Sequence, residues 1–281
     1  MTGVAIVTDS TSYLSPELVA EHGIRVVPLQ VVIDGIAYDE SDEATSATVA
    51  EALRSGIPVT TSRPSPAAFL DAYEQAAKQG CDGVVSIHLS AEFSGTHESA
   101  TLAGRDSPVP TRVVDSRSLG MGLGFAAVTA AETAASGEAT LDEIVAAAAK
   151  RAAASTAVFY VDTLEYLRRG GRIGAGAAFL GSALAVKPLL HVVDGHIEPL
   201  EKVRTSVKAI ARLEEIAVQH AGDAEVDVAV AHLANPDRAR TLADRLRERL
   251  PHLGLLQLSE IGAVVGAHVG PGMLSVVVAP R

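Results

Sequence analysis

The sequence has one cysteine, no tryptophan, and fewer positive than negative charges. The single cysteine, Cys81, leaves no internal disulfide and no cysteine-based metal site. Tryptophan is absent and aromatic residues make up 4% of the 281 positions, which argues against a base-stacking nucleic-acid surface. The net charge of −11 argues against it again, because phosphate binding needs a basic footprint. No nucleic-acid partner is expected. No apolar run has the length of a bilayer span, so no stable membrane insertion is expected. The first residues enter a strand-like run with no basic, then apolar, leader, and the expectation is a soluble cytoplasmic protein. The familiar catalytic signatures are missing too. There is no Gly-x-Gly-x-x-Gly opening a helix directly after the first strand, no Walker A motif, no Gly-x-Ser-x-Gly elbow and no His-Glu-x-x-His.

What is present is enough for a packed core: 48% hydrophobic and 20% charged residues. The length suits two domains of ordinary size. Residues 1–150 carry a net −12 and residues 151–281 a net +1, so a boundary falls near 150. The expected domains are 1–155 and 156–281.

Short apolar runs alternate with helical patterns along the whole chain. Val4–Val7, Gly83–Leu89 and Thr111–Asp115 read as buried strands. Ile24–Ile33 is β-rich and meets a hairpin signal at Asp34-Gly35. Ser15-Pro16-Glu17 and Ser65-Pro66 are helix starts, with cap and proline in order. The segment from Pro58 to Pro66 reads as an extended loop between helices, its hydroxyls able to line a cleft or simply to make turns. In the second half, Asp194-Gly195 marks another hairpin, and helices 207–220 and 236–250 alternate with strands 226–232 and 255–259. Leu164–Gly174 reads as a flexible basic loop, and in Ile261–Gly272 His268 lies among small apolar residues with a Gly-Pro-Gly turn after it. The class is α/β, with two α/β domains, a mainly parallel sheet in the first and a mixed sheet in the second. In parallel sheets ligands sit off the carboxyl ends of the strands. The polar exits Asp9-Ser10, Ser90–Gly95 and Asp115-Ser116 would share that edge.

The exit Ser90–Gly95 leads from a strand into a helix starting at Thr96. Such a turn aims backbone amides at a ligand, Ser94 adds a hydroxyl, and Gly95 permits close approach. An anion cradle is one account; taken alone, Ser94 as a plain helix cap is the simpler one. A serine nucleophile at Ser94 lacks an orienting carboxylate at a suitable spacing, and Asp9 and Asp115 read as loop anchors rather than metal ligands. His268 is flanked by glycines, which points to close approach of backbone or ligand.

Several short motifs then occur in order from about residue 4 to 279. They are Val7-Thr8-Asp9-Ser10-Thr11, Thr60-Thr61-Ser62-x-Pro64-Ser65 and Leu89-Ser90-x-x-Phe93-Ser94-Gly95-Thr96. Val114-Asp115-Ser116, Tyr166-Leu167-x-x-Gly170-Gly171-Arg172-Ile173, Lys187-Pro188, Lys202-x-Arg204-Thr205 and Gly266-x-His268-x-Gly270-Pro271-Gly272 complete the set. Each is weak alone, but the ordered set resembles the DegV family of bacterial fatty-acid-binding proteins. The resemblance implies two α/β domains with a long-chain fatty acid held between them. It implies a non-catalytic, lipid-presenting partner of a fatty acid kinase catalytic subunit, which phosphorylates the bound carboxylate to an acyl-phosphate for phospholipid synthesis. The carboxylate-binding residues carried over are Thr61, Ser94, Gly95 and His268, with Ser62 and Arg63 as head-group neighbours. Residues implied in docking the kinase are Arg168, Arg169 or Arg172, and Lys202 or Arg204. No cofactor and no metal are implied. Arg63 departs from the family, which usually has glutamine there; its charge either alters head-group binding or faces solvent.

Physical chemistry accommodates that implication. Burying an alkyl chain gains roughly 0.8 kcal/mol per methylene, so a long tail supplies on the order of 10 kcal/mol before ordering costs. The carboxylate must then meet donors, and hydroxyls, backbone amides and an imidazole are suitable ones. Candidate slot residues are Phe93, Phe125, Phe159, Leu164, Ile173, Phe179, Leu180 and Leu184, each equally readable as core. Two other readings stand beside this one: a regulatory lipid sensor without a kinase, and a Ser94-dependent hydrolase.

Overall fold

The structure, a computed structural model, describes residues 3–40, 45–173 and 187–281. Phe179, Leu180, Leu184 and Gly174 lie outside them. Two compact units emerge: residues 1–30 with 62–154, and residues 31–61 with 155–281. The chain therefore passes from the first to the second unit and back before the boundary near 155, so residues 31–61 belong with the second unit rather than the first.

The first unit is built on β1 (Gly3–Asp9), β2 (Arg25–Val27), β6 (Cys81–His88) and β7 (Thr111–Asp115), ordered β2-β1-β6-β7 with all pairs parallel. β1 and β6 become fully buried toward their C-terminal ends, as their unbroken apolar runs demand. The helices are α1 (Pro16–His22), α3 (Pro66–Lys78), α4 (Thr96–Arg105), α5 (Met121–Ala135) and α6 (Leu141–Ala154). Ser15 and Ser65 cap α1 and α3 ahead of their prolines. Ala5, Val7 and Val84 pack with Phe69, Tyr73 and Ala76 of α3 and Ala100 and Ala103 of α4. Gly83, adjacent to Val84 and so facing the other way, meets Leu141 of α6. The helices thus cover both faces.

The second unit holds β8 (Thr156–Tyr160), β9 (Lys187–Val193), β10 (His196–Val203), β11 (Val226–His232), β12 (Leu253–Glu260) and β13 (Leu274–Pro280). Their order is β10-β9-β8-β13-β11-β12; β11 and β12 are parallel and every other pair is antiparallel. α8 (Ser206–Ala221) and α9 (Pro236–Arg249) bury Leu213, Ala217, Leu242 and Leu246 against Val228, Val230, Val276 and Val278. A small sheet, β4-β3-β5, comprises β3 (Gln30–Ile33), β4 (Ile36–Asp39) and β5 (Val59–Ser62). α2 (Ser46–Arg54) packs on α10 (Ala263–Val269), with Ser46 Oγ donating to the Ile261 carbonyl and the Val264 amide to Glu40 at 2.7 Å. These contacts tie residues 31–61 to the second unit.

The α/β class, the parallel first sheet and the mixed second sheet agree with expectation. Three local readings change. The β-rich stretch 24–33 is two strands in different sheets, because Pro28 removes a ladder donor between them. The extended loop 58–66 contains β5, an edge strand bracketed by Pro58 and Pro64. Leu164–Gly174 contains a short helix, α7 (Glu165–Arg169), in which Glu165 pairs with both Arg168 and Arg169 at 2.8 Å. A helix with no signal in the sequence, α10, lies within Ile261–Gly272; its valines and glycine have poor helix propensity, and burial of all its residues but His268 holds it.

Candidate functional site

In the first unit the carboxyl edge of the sheet is stitched by a buried polar chain. Asp9 Oδ2 accepts from the Leu89 amide at 3.0 Å and meets His88 Nδ1 at 3.0 Å. Its Oδ1 accepts from the amide and hydroxyl of Thr11. His88 Nε2 bonds Ser86 Oγ at 2.6 Å, and Tyr73 donates to the same oxygen at 2.9 Å. All four side chains are fully buried. Burial pushes the Tyr73 phenol up to about 12, so it is a donor throughout the physiological range. Ser86, His88 and Asp9 have the connectivity of a hydrolytic triad, but a serine with no exposure cannot meet a substrate. The chain instead anchors the strand exit. Asp115 acts likewise, accepting from Ala91 N at 3.3 Å and Arg117 N at 2.8 Å. Sequence reasoning read Asp9 and Asp115 as anchors but missed Ser86 and His88, which looked like ordinary strand residues. The available signal was a polar pair at alternate positions of an otherwise apolar strand.

From that anchor the chain turns. The amides of Phe93 and Ser94 donate to the Ser90 carbonyl at 3.0 and 3.3 Å, and α4 begins at Thr96. Gly95, not Ser94, occupies the cap position of α4, and it makes no side-chain cap bond. Ser94 Oγ instead shares a 2.9 Å hydrogen bond with Thr96 Oγ1. The simple cap account of Ser94 is therefore replaced. A hydroxyl partner is also a poor general base for activating Ser94 as a nucleophile. Arg63 neither points away nor stands alone. Its Nη1 donates to Glu98 at 2.6 Å and to the Gly95 carbonyl at 3.3 Å.

In the second unit Thr61 Oγ1 lies 2.8 Å from His268 Nε2, joining β5 to the last turn of α10. The His268 Nδ1 atom is enclosed and, among the described residues, has no hydrogen-bond partner. Burial, then the nearby Arg172 charge, lowers the imidazole to about 4, so it is neutral at pH 7. An enclosed N–H without an acceptor costs more than an enclosed lone pair, which places the proton on Nε2. Nε2–H then donates to Thr61, and the Thr61 hydroxyl is left to donate elsewhere. Three glycines shape these surroundings. A Cβ on Gly170 would overlap His268 Nδ1, one on Gly270 the Tyr166 ring, and one on Gly272 the Asp162 carboxylate. Ser62, at the end of β5, is exposed.

A family model described as "Uncharacterised protein, DegV family" matches residues 3–281. The chain belongs to the DegV family. A DegV domain-containing protein of Streptomyces coelicolor is 60% identical over 278 residues, covering 99% of each sequence. Among solved structures, the chain matches a DegV family protein of Thermus thermophilus described by its fatty acid binding, at 32% identity and TM-score 0.92. It also matches DegV of Bacillus subtilis, a fatty acid binding protein, at 34% identity and TM-score 0.92. In both cases all of each chain is covered.

The remaining candidates of this DegV-family chain lie in the second unit. Arg168 and Arg169 project from α7 with their side chains 68% exposed, each paired with Glu165. Arg172 Nη1 donates to the Gly170 carbonyl. Lys202, at the end of β10, and Arg204 are exposed. Among the described residues no helix is long and apolar enough to cross a membrane.

Proposed function

We propose that this protein binds a long-chain fatty acid, with the hydroxyls of Thr61 and Ser94, the Gly95 backbone and His268 serving its carboxylate. Fatty-acid binding by two relatives of the same fold and full coverage supports the ligand class. The observation that carries the head-group assignment is the Thr61–His268 hydrogen bond, formed by residues 207 positions apart. A neutral imidazole that spends its one proton on Thr61 orients that hydroxyl to donate onward. His268 thus acts on the carboxylate through Thr61. The head group is met by hydroxyls and amides, so no general base, nucleophile, cofactor or metal is needed for binding.

The same reading extends to presentation of the carboxylate to a fatty acid kinase catalytic subunit, with the acyl-phosphate passing to phospholipid synthesis. Exposed Arg168 and Arg169, with Arg172, Lys202 and Arg204, supply a basic surface suited to such a partner.

Protein produced in bacteria is expected to carry a long-chain acid, identified by mass spectrometry after denaturation. Thr61→Ala combined with Ser94→Ala is expected to weaken retention roughly a hundred- to ten-thousandfold, each lost charge-assisted hydrogen bond costing about 1.5–3 kcal/mol. Undiminished retention would refute the head-group assignment. Charge reversal at Arg168 and Arg169 is expected to stop phosphorylation by the kinase while leaving retention intact.

A further inference from the structure

We infer that Arg63 reads the charge of the lipid head: its guanidinium exchanges the carboxylate of Glu98 for that of an incoming acid. The inference rests on the fatty-acid reading above and deepens it.

Gly95 has no side chain, and Arg63 fills the place one would take. A Cβ at residue 95 would overlap Arg63 Nη1 and lie 2.8 Å from Cζ and 2.9 Å from Cδ. The guanidinium and the end of its stem therefore lie against Gly95, directly after Ser94. Nη1 holds two acceptors there, Glu98 Oε2 at 2.6 Å and the Gly95 carbonyl at 3.3 Å. A cation is thus parked on the backbone that a carboxylate approaching Ser94 would meet. Pro64 restricts the Arg63 backbone to extended conformations, so the base of the side chain is fixed while its end is free to turn.

The pairing is easily exchanged. The Arg63 and Glu98 side chains are 48% and 68% exposed. A water-exposed ion pair is weak, and a released Glu98 would simply be hydrated. A guanidinium offers five donors in a rigid fork matched to a carboxylate, so a second carboxylate at the turn competes on equal chemical terms. An alcohol or ester head brings no charge and cannot compete. Arg63 should therefore set the preference for ionised over neutral heads, while the hydroxyls bind both.

The test measures displacement of a fluorescent fatty acid by hexadecanoic acid and by hexadecanol, in the wild type, Arg63→Gln and Glu98→Gln. Arg63→Gln is expected to lower the acid-to-alcohol preference roughly tenfold, the scale of one charge-assisted hydrogen bond. Glu98→Gln is expected to raise that preference a few-fold by freeing the guanidinium. An unchanged preference in Arg63→Gln, with lipid binding intact, overturns the inference. So does a fall in Glu98→Gln as large as in Arg63→Gln, because the ion pair would then be shaping the turn rather than yielding to the ligand. A wild type that takes up neither lipid defeats the fatty-acid reading itself, and this inference with it.

Discussion

At the scale of single residues, the chemistry concentrates on His268. Its proton equilibrium is lowered to about 4, first by burial and then by Arg172, against 6.5 for an ordinary histidine. The sign follows directly. Between those two values the unfolded chain binds more protons than the folded one, so stability rises with pH across the window. The contribution is complete above pH 6.5 and is lost as pH falls toward 4, amounting to at most about 3 kcal/mol and less in proportion to solvent access. A His268→Gln variant is therefore expected to lose less stability than the wild type between pH 7 and 4, measured by denaturant unfolding. Arg172→Gln is expected to raise the His268 midpoint, read from its ring resonances by NMR; a midpoint that stays or falls would show that Arg172 does not act on the imidazole. His268 was legible in the sequence from the glycines around it. Its bond to Thr61 was not, since nothing in either local pattern pairs positions 61 and 268.

At the scale of elements, two short helices, α7 and α10, pack together around His268. α10 ends at Gly270, whose φ of +75° only glycine adopts without strain, and whose open side admits the Tyr166 ring. Gly270→Ala is expected to destabilise the protein by about 1–3 kcal/mol, the cost of overpacking, with the backbone penalty added. Thermal unfolding checks it, and a wild-type melting curve would contradict the close packing. Gly120, the N-cap of α5, has positive φ and an aromatic neighbour too, but a Cβ there would lie 3.9 Å from the Tyr13 ring, an ordinary contact, whereas one at 270 would overlap the Tyr166 ring. The α7 stretch reads as a loop because arginines among glycines are a weak helix pattern, and the valines among glycines of α10 give no helix signal either. Tertiary burial and the Glu165 ion pairs overrode that local preference. By contrast α3, with Ser65, Pro66 and an apolar face at Phe69, Tyr73 and Ala76, was plain in the sequence and is what the structure shows.

At the scale of the molecule, the chain is not divided once. Residues 31–61 join residues 155–281, and their α2 packs on α10. Val49 and Ala50 of α2 are fully buried. A fragment of residues 155–281 alone would lose that cover over the helix that carries His268. It is expected to bind a dye for exposed apolar surface and to melt without a sharp transition. A cooperative, dye-free fragment would show that residues 31–61 are dispensable to the unit. The charge asymmetry placed a boundary near residue 150 but gave no sign of the earlier excursion, because residues 31–61 share the negative sign of the acidic half they interrupt.

The sequence by itself determined the α/β class, the parallel first sheet, most helix starts and the family. Those depend on local periodicity, capping and the order of short motifs. Only the tertiary structure decided that Thr61 bonds His268, that Asp9, His88, Ser86 and Tyr73 form one buried chain, and that Arg63 lies across Gly95. The reason is physical. A strand or helix is specified by residues a few positions apart, whereas a hydrogen bond between distant side chains exists only once packing has fixed where both backbones run.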